Sequence, residues 1–221
     1  MKKLASGFSL IELLVVIAII GILSSVIYAN LGQGSAQGRD LERQSNLREV
    51  QAALELYKNE HGRYPAACNG AAGWSSTETG WSGQTGTTFG CTSGSQYIVG
   101  LVPKYIPALP VDPKLNGNNS GYVYAVNADG TVYKFMAKRT VESELVDYKH
   151  AFKSCDSTSN NKGMCDAVAS NFNNAPPHCA ETNANFRSSY AVWGGYAYVA
   201  PTLAAAPGLI NNRTEDIICR W

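Results

Sequence analysis

The chain has 221 residues, 45% of them apolar, and sets 18 Lys and Arg against 17 Asp and Glu. Near-neutrality without a polybasic run excludes the electrostatic footprint of a nucleic-acid-binding protein, and the length allows one globular unit with an appendage rather than a multidomain enzyme. Charged residues make up only 16%, where about 25% is usual, while Gly reaches 21, so polarity has to come from Ser, Thr, Asn and Gly. Six cysteines without a CxxC pair fit an oxidising compartment.

The charge is unevenly spread. Residues 4–38 are 35 consecutive positions carrying one charge, the carboxylate of Glu12. Within them residues 8–31, FSLIELLVVIAIIGILSSVIYANL, would run roughly 36 Å as a helix at about 1.5 Å per residue, enough to cross a bilayer core of about 30 Å. Lys2 and Lys3 precede the span and nothing comparable follows it, which predicts a cytoplasmic amino end and an exported remainder. A cleaved secretory signal fits poorly, because Ile27 stands where cleavage after Ala29 wants a small residue. A plain membrane anchor gives Glu12 no purpose, although a carboxylate in hydrocarbon costs on the order of 2.5–3.5 kcal/mol.

The run Lys2-Lys3-Leu4-Ala5-Ser6-Gly7 followed by Phe8-Ser9-Leu10-Ile11-Glu12-Leu13-Leu14-Val15-Val16 resembles the class III leader of type IV pilins and type II secretion pseudopilins. The resemblance implies that a prepilin peptidase cuts after Gly7 and methylates the new amino terminus, Phe8. It also implies that Glu12 neutralises the amino terminus of a neighbouring subunit as helices leave the membrane for a filament. Independently, Phe8 and Glu12 are an i, i+4 pair, so a freed amine and the carboxylate share one face of a first helical turn, where the helix dipole also favours negative charge. In a low-dielectric bundle each charge is costly alone and tolerable when paired.

Residues 32–38 contain three glycines, each costing a helix about 1 kcal/mol relative to Ala, which predicts a weak point. Many type IV pilins have a proline just before this region; here the position is Ala29. An amphipathic helix is predicted over 39–61, with Leu41, Leu47, Val50, Leu54 and Tyr57 facing inward and Arg43, Arg48, Glu49, Glu55 and Lys58 on the surface. Gly62 and Pro65 predict its end. Residues 57–65, YKNEHGRYP, resemble the helix-to-head junction of pseudopilins.

Four prolines in 101–113 predict a short helical turn and an extended connector. Residues 122–126 and 131–138 read as strands joined by the turn Asn127-Ala128-Asp129-Gly130, and 141–148 as a further strand. Farther on, Ala191, Trp193, Tyr196 and Tyr198 suggest a strand with a glycine bend at 194–195, and 215–219 a closing edge strand. The predicted fold is α+β and pilin-like: a long amino-terminal helix, apolar in its first half, packed on an antiparallel sheet, with a cysteine-rich extension over 149–221. The divisions are a leader at 1–7, a membrane or filament-core helix at 8–31, the glycine segment at 32–38, the head helix at 39–61 and the head at 62–148. Within the head, 69–95 is a 27-residue loop of which 18 are Gly, Ser or Thr.

Six cysteines allow 15 pairings. Local closure suggests Cys68 with Cys91, Cys155 with Cys165 and Cys179 with Cys219, each loop closure contributing about 3 kcal/mol in the chain-entropy model. Trp74, Trp81 and Phe89 could make the 69–95 loop adhesive. Zinc at Cys155, Cys165, Cys179 and His178 lacks the usual short ligand spacing. Asp112, Asn116, Asn118 and Asn119 offer oxygens for calcium, roughly where major pseudopilins carry that ion, against the alternative of a polar turn. His61, His150 and His178 sit in unrelated contexts, and no GxSxG, HExxH or P-loop is present, so no catalytic residues are assigned.

The resulting expectation is a non-enzymatic subunit, membrane-inserted and then polymerised with itself or other pilins. Its partners are a prepilin peptidase and an inner-membrane assembly platform, and nucleic acid is not indicated. It ends in an extracellular pilus or, alternatively, a periplasmic secretion pseudopilus. A non-polymerising membrane-anchored binding protein or hydrolase is the alternative from another class.

Overall fold

The computed structural model describes residues 9–68, 82–84, 96–127, 129–155 and 182–195, with backbone alone for 26–31. Two compact units result, Met1–Gly38 and Arg39–Trp221. Helix α1, Leu10–His61, runs through the three glycines of 32–38. It stops where the sequence predicts. Gly62 has φ +74°, and its N–H donates to the Lys58 carbonyl at 2.8 Å, the left-handed cap that closes a helix.

In the second unit α1 lies on a four-stranded antiparallel sheet of order β1-β2-β3-β4: Ser82–Gly83, Gly121–Val126, Val132–Lys138 and Tyr190–Gly195. The β2–β3 hairpin forms at the predicted turn, where Asn127 Oδ1 accepts from the N–H groups of Thr131 and Val132 at 2.8 and 2.9 Å. Strand alternation sends Tyr122, Tyr124, Phe135, Tyr133 and Tyr190 to one face, where they pack with Leu47, Val50 and Leu54 of α1. Val123, Ala125, Val132, Met136 and Ala191 form a second buried cluster on the opposite face, with Trp193 against it. The sheet is thus buried on both faces, beyond the single helix-covered face that the sequence suggests. A four-residue helix, α2 (Ala184–Arg187), precedes β4 with Asn183 as its cap.

Two expectations are corrected. Leu41 is 65% exposed, whereas Arg43 is fully buried. Asp40, Arg43, Leu47, Val50 and Leu54 follow one another at three- and four-residue intervals on the inward face, so the stripe is charged at its amino-terminal end and apolar beyond it. Residues 141–148 are irregular rather than a strand. The N–H groups of Glu142 and Ser143 both donate to the Asp40 carboxylate, at 3.1 and 2.7 Å, and consecutive N–H groups converging on one acceptor are incompatible with the alternating directions of a strand.

Arg43 joins these pieces. Its Nε and Nη2 donate to the two oxygens of Asp112, each at 2.8 Å, and Nη1 donates to Asp40 at 2.7 Å. Nη1 and Nη2 both reach Glu142 Oε1 at 3.2 Å, and Nη2 the Lys114 carbonyl at 3.3 Å. Arg39 meets Glu142 with two further bonds of 2.7 Å, and Lys114 Nζ with one of 2.6 Å. Burial lowers the Arg43 pKa, but its bonds to Asp112, Asp40 and Glu142 outweigh that and raise it overall. Arg39, then Lys114 and Arg43, hold the Glu142 carboxyl down to about 2 against the opposing effect of burial.

Two outcomes are expected. Gly62→Ala and Gly195→Ala each force Ala into positive φ, a cost of about 1–2 kcal/mol, but a Cβ at Gly62 meets open space while one at Gly195 stands 1.9 Å from the Thr131 carbonyl oxygen. Urea unfolding should therefore show a loss severalfold larger for Gly195→Ala. Because Glu142 titrates in the native state below its unfolded value of 4.5, its stabilisation is complete above that value and fades as pH falls from there through about 2. Glu142→Gln should lower the urea midpoint at neutral pH and flatten its fall across this acid window.

Candidate assembly site

The described chain opens on Ser9, and the start of α1 follows from local chemistry. Ser9 N–H donates to Glu12 Oε2 at 2.8 Å, and Glu12 N–H donates to Ser9 Oγ at 3.3 Å. This reciprocal pair is a capping box, Ser at the cap and Glu three residues on, and it satisfies two backbone donors that the helix cannot. Glu12 therefore has a role inside its own chain that the sequence reading missed, although the S-x-x-E spacing was there to be read.

Around this cap the surface is apolar on every side. Leu10, Ile11, Leu13, Leu14, Val15, Val16 and Ile17 are all exposed, from 45% to 86%, and the pattern continues through Leu23. Successive helical residues step around the axis, so seven exposed apolar positions in eight leave no polar face except at Glu12. A helix of this kind needs lipid or other helices around it. Among the described residues no helix is long and apolar enough to cross a membrane; the described side chains of this stretch end at Ser25, within the predicted span of 8–31. Gly7 and Phe8, the predicted processing residues, lie outside the described residues.

The other predicted sites fall as follows. Asp112 is buried and gives both carboxylate oxygens to Arg43, whereas Asn116, Asn118 and Asn119 are exposed. Asp112 thus stands in different surroundings from the three exposed asparagines, and among the described residues no group of three or more His, Cys, Asp or Glu is placed to hold a metal ion, the carboxylates of Asp40, Asp112 and Glu142 being taken up by Arg43. Cys68 and Cys155 are each disulfide-bonded. Cys91, Cys165, Cys179 and Cys219 lie outside the described residues, and the predicted pairings with them, as do His178, Trp74, Trp81, Phe89 and the strand at 215–219. His61 stacks on Tyr57 at 4.0 Å between ring centroids, closing the last turn of α1. His150 has both ring nitrogens engaged, Nδ1 accepting from Phe152 N–H and Nε2 meeting Glu144, each at 3.1 Å.

Residues 2–28 match the family described as the prokaryotic N-terminal methylation motif. The chain is similar to type II secretion system core protein G of Aeromonas hydrophila, 36% identical over 69 residues, 31% of this chain and 48% of that protein. The protein of the same name from Pseudomonas aeruginosa is 30% identical over 69 residues, 31% of this chain and 49% of the relative. The type IV major pilin protein PilA of Myxococcus xanthus is 32% identical over 84 residues, 38% of this chain and 34% of the relative. The chain spans about half or less of the length of these curated relatives, and no solved structure matches it. The methylation motif and the likeness to both kinds of relative make the amino-terminal part of the chain, about a third of its length, similar to type IV pilins and type II secretion pseudopilins.

Proposed function

We propose that the protein is a structural subunit of a type IV pilus-like filament, serving adhesion, motility or DNA uptake. It is cut after Gly7, methylated on Phe8 and assembled with copies of itself or other pilins through the amino-terminal half of α1, with the sheet-bearing unit outward. The observation that carries this reading is Glu12, the one charge among residues 4–38, on a helix apolar all round. Packed among other helices, that carboxylate meets a positive partner or is lost to assembly, and the methylated amine of a neighbour is such a partner. Removal of the leader takes Lys2 and Lys3 and leaves 16 basic against 17 acidic side chains, so no overall charge draws the mature chain to nucleic acid. The several relatives named type II secretion core protein G favour a second reading, a pseudopilin of a periplasmic secretion filament.

The capping box supplies a rival explanation for Glu12, and charge separates the two. Gln serves at the third position of a capping box as Glu does, but carries no charge. Glu12→Gln should keep the helix start and membrane insertion and still abolish filament formation, an outcome also expected of Glu12→Val. Wild-type yield of Glu12→Gln in the sheared filament fraction would assign the residue to capping and refute the assembly role.

A further inference from the structure

The oxygens around Arg43 come from four separate places in the chain. Asp40 lies on α1, Asp112 in the proline-rich connector, the Lys114 carbonyl in the turn after it, and Glu142 beyond β3. Five oxygens surround one buried cation: two from Asp112, one each from Asp40 and Glu142, and one backbone carbonyl. Carboxylates joined by a main-chain carbonyl are the ligand chemistry of a calcium ion, which takes six to eight oxygens with water completing the shell. Here the centre is filled by a guanidinium whose side chain is fully buried.

The carboxylates do not owe their positions to Arg43 alone. Asp40 Oδ2 accepts from the N–H and hydroxyl of Ser143 at 2.7 and 2.6 Å. Asp112 Oδ1 accepts from Lys114 N–H at 3.0 Å, and the Asp112 N–H is held by Gln84 Oε1 at 2.9 Å. Arg39 and Lys114 grip Glu142 from its other side. Backbone N–H groups and neighbouring side chains thus hold the carboxylates in place, so that they would persist as a cluster of acidic oxygens with the Arg43 guanidinium removed.

We propose that Arg43 is the resident cation of this cage, a covalently attached substitute for a divalent metal ion, so that the fold of the second unit is indifferent to calcium. The calcium expected near Asp112 does not fit, because both oxygens of that residue already serve the guanidinium. Three carboxylates face three cations, Arg43, Arg39 and Lys114, and the set is neutral. Truncating Arg43 leaves a net negative cage with a space at its centre, which is a vacancy for calcium.

The test is thermal unfolding of the full chain in detergent, with EDTA and with millimolar calcium chloride. The wild-type midpoint should be the same in both. Arg43→Ala should melt about 5–15 °C lower in EDTA, the range expected for breaking a buried ion pair in a chain of this size, and should regain part of that loss in calcium. Arg43→Ala with Asp112→Asn should lose the calcium response. If Arg43→Ala does not fold in EDTA, its recovery on refolding in calcium supports the proposal equally. A wild-type midpoint that falls on chelation would overturn it, as would an Arg43→Ala protein that calcium neither stabilises nor refolds.

Discussion

A guanidinium with no access to water must find its hydrogen-bond acceptors inside the protein, and Arg43 finds them on α1, the connector, the turn after it and the segment after β3. Leaving such a charge unpaired costs several kcal/mol, so these parts are obliged to arrive together. This explains features that propensity leaves unaccounted for. Residues 141–148 forgo strand pairing because two of their N–H groups serve Asp40, and Asp112 turns inward from an otherwise exposed loop because it supplies the bidentate partner. The apolar packing of Leu47, Val50 and Leu54 against the sheet tyrosines begins one turn farther along the same helical stripe.

The two units share one electrostatic problem and solve it differently. Each has an ionised side chain in surroundings that disfavour charge. In the sheet-bearing unit the chain supplies the counter-charges itself, through Asp40, Asp112 and Glu142. In the amino-terminal unit Glu12 has Ser9 as a hydrogen-bond partner but no cation beside it among the described residues, and the helix around it is apolar on all sides. A satisfied charge makes a fold; an unneutralised one makes a binding specificity. On the proposed function, the counter-charge of Glu12 belongs to another subunit, which would make subunit stagger a matter of charge matching on an otherwise uniform apolar surface.

What the sequence reveals depends on how local the determinant is. The end of α1 at Gly62 and the Asn127 hairpin were legible because each is decided within a few residues by a left-handed glycine or a side chain capping its own turn. The exchange of Leu41 and Arg43 between surface and interior was not, since Arg43 is drawn in by acceptors 69 and 99 residues away. Treating a charged residue as exposed is sound until partners meet it in space. The pairing of Asp112 with Arg43 was hidden for the same reason, since its partner lies 69 residues away in the sequence. The Ser9–Glu12 capping box is a different case, because its S-x-x-E spacing is local and legible in the sequence. Nothing in composition could choose among the cysteine pairings.

On the proposed function, processing at Gly7 and assembly through α1 belong to one sequence of events. Mass spectrometry of the amino terminus of this protein, taken from a sheared surface-filament or overexpressed pseudopilus fraction, asks about both at once. The expected result is a chain that begins with N-methylated Phe8 and is present in the filament fraction. A mature chain beginning at Met1 or Asn30, or one found only in the membrane and never in the filaments, would contradict it.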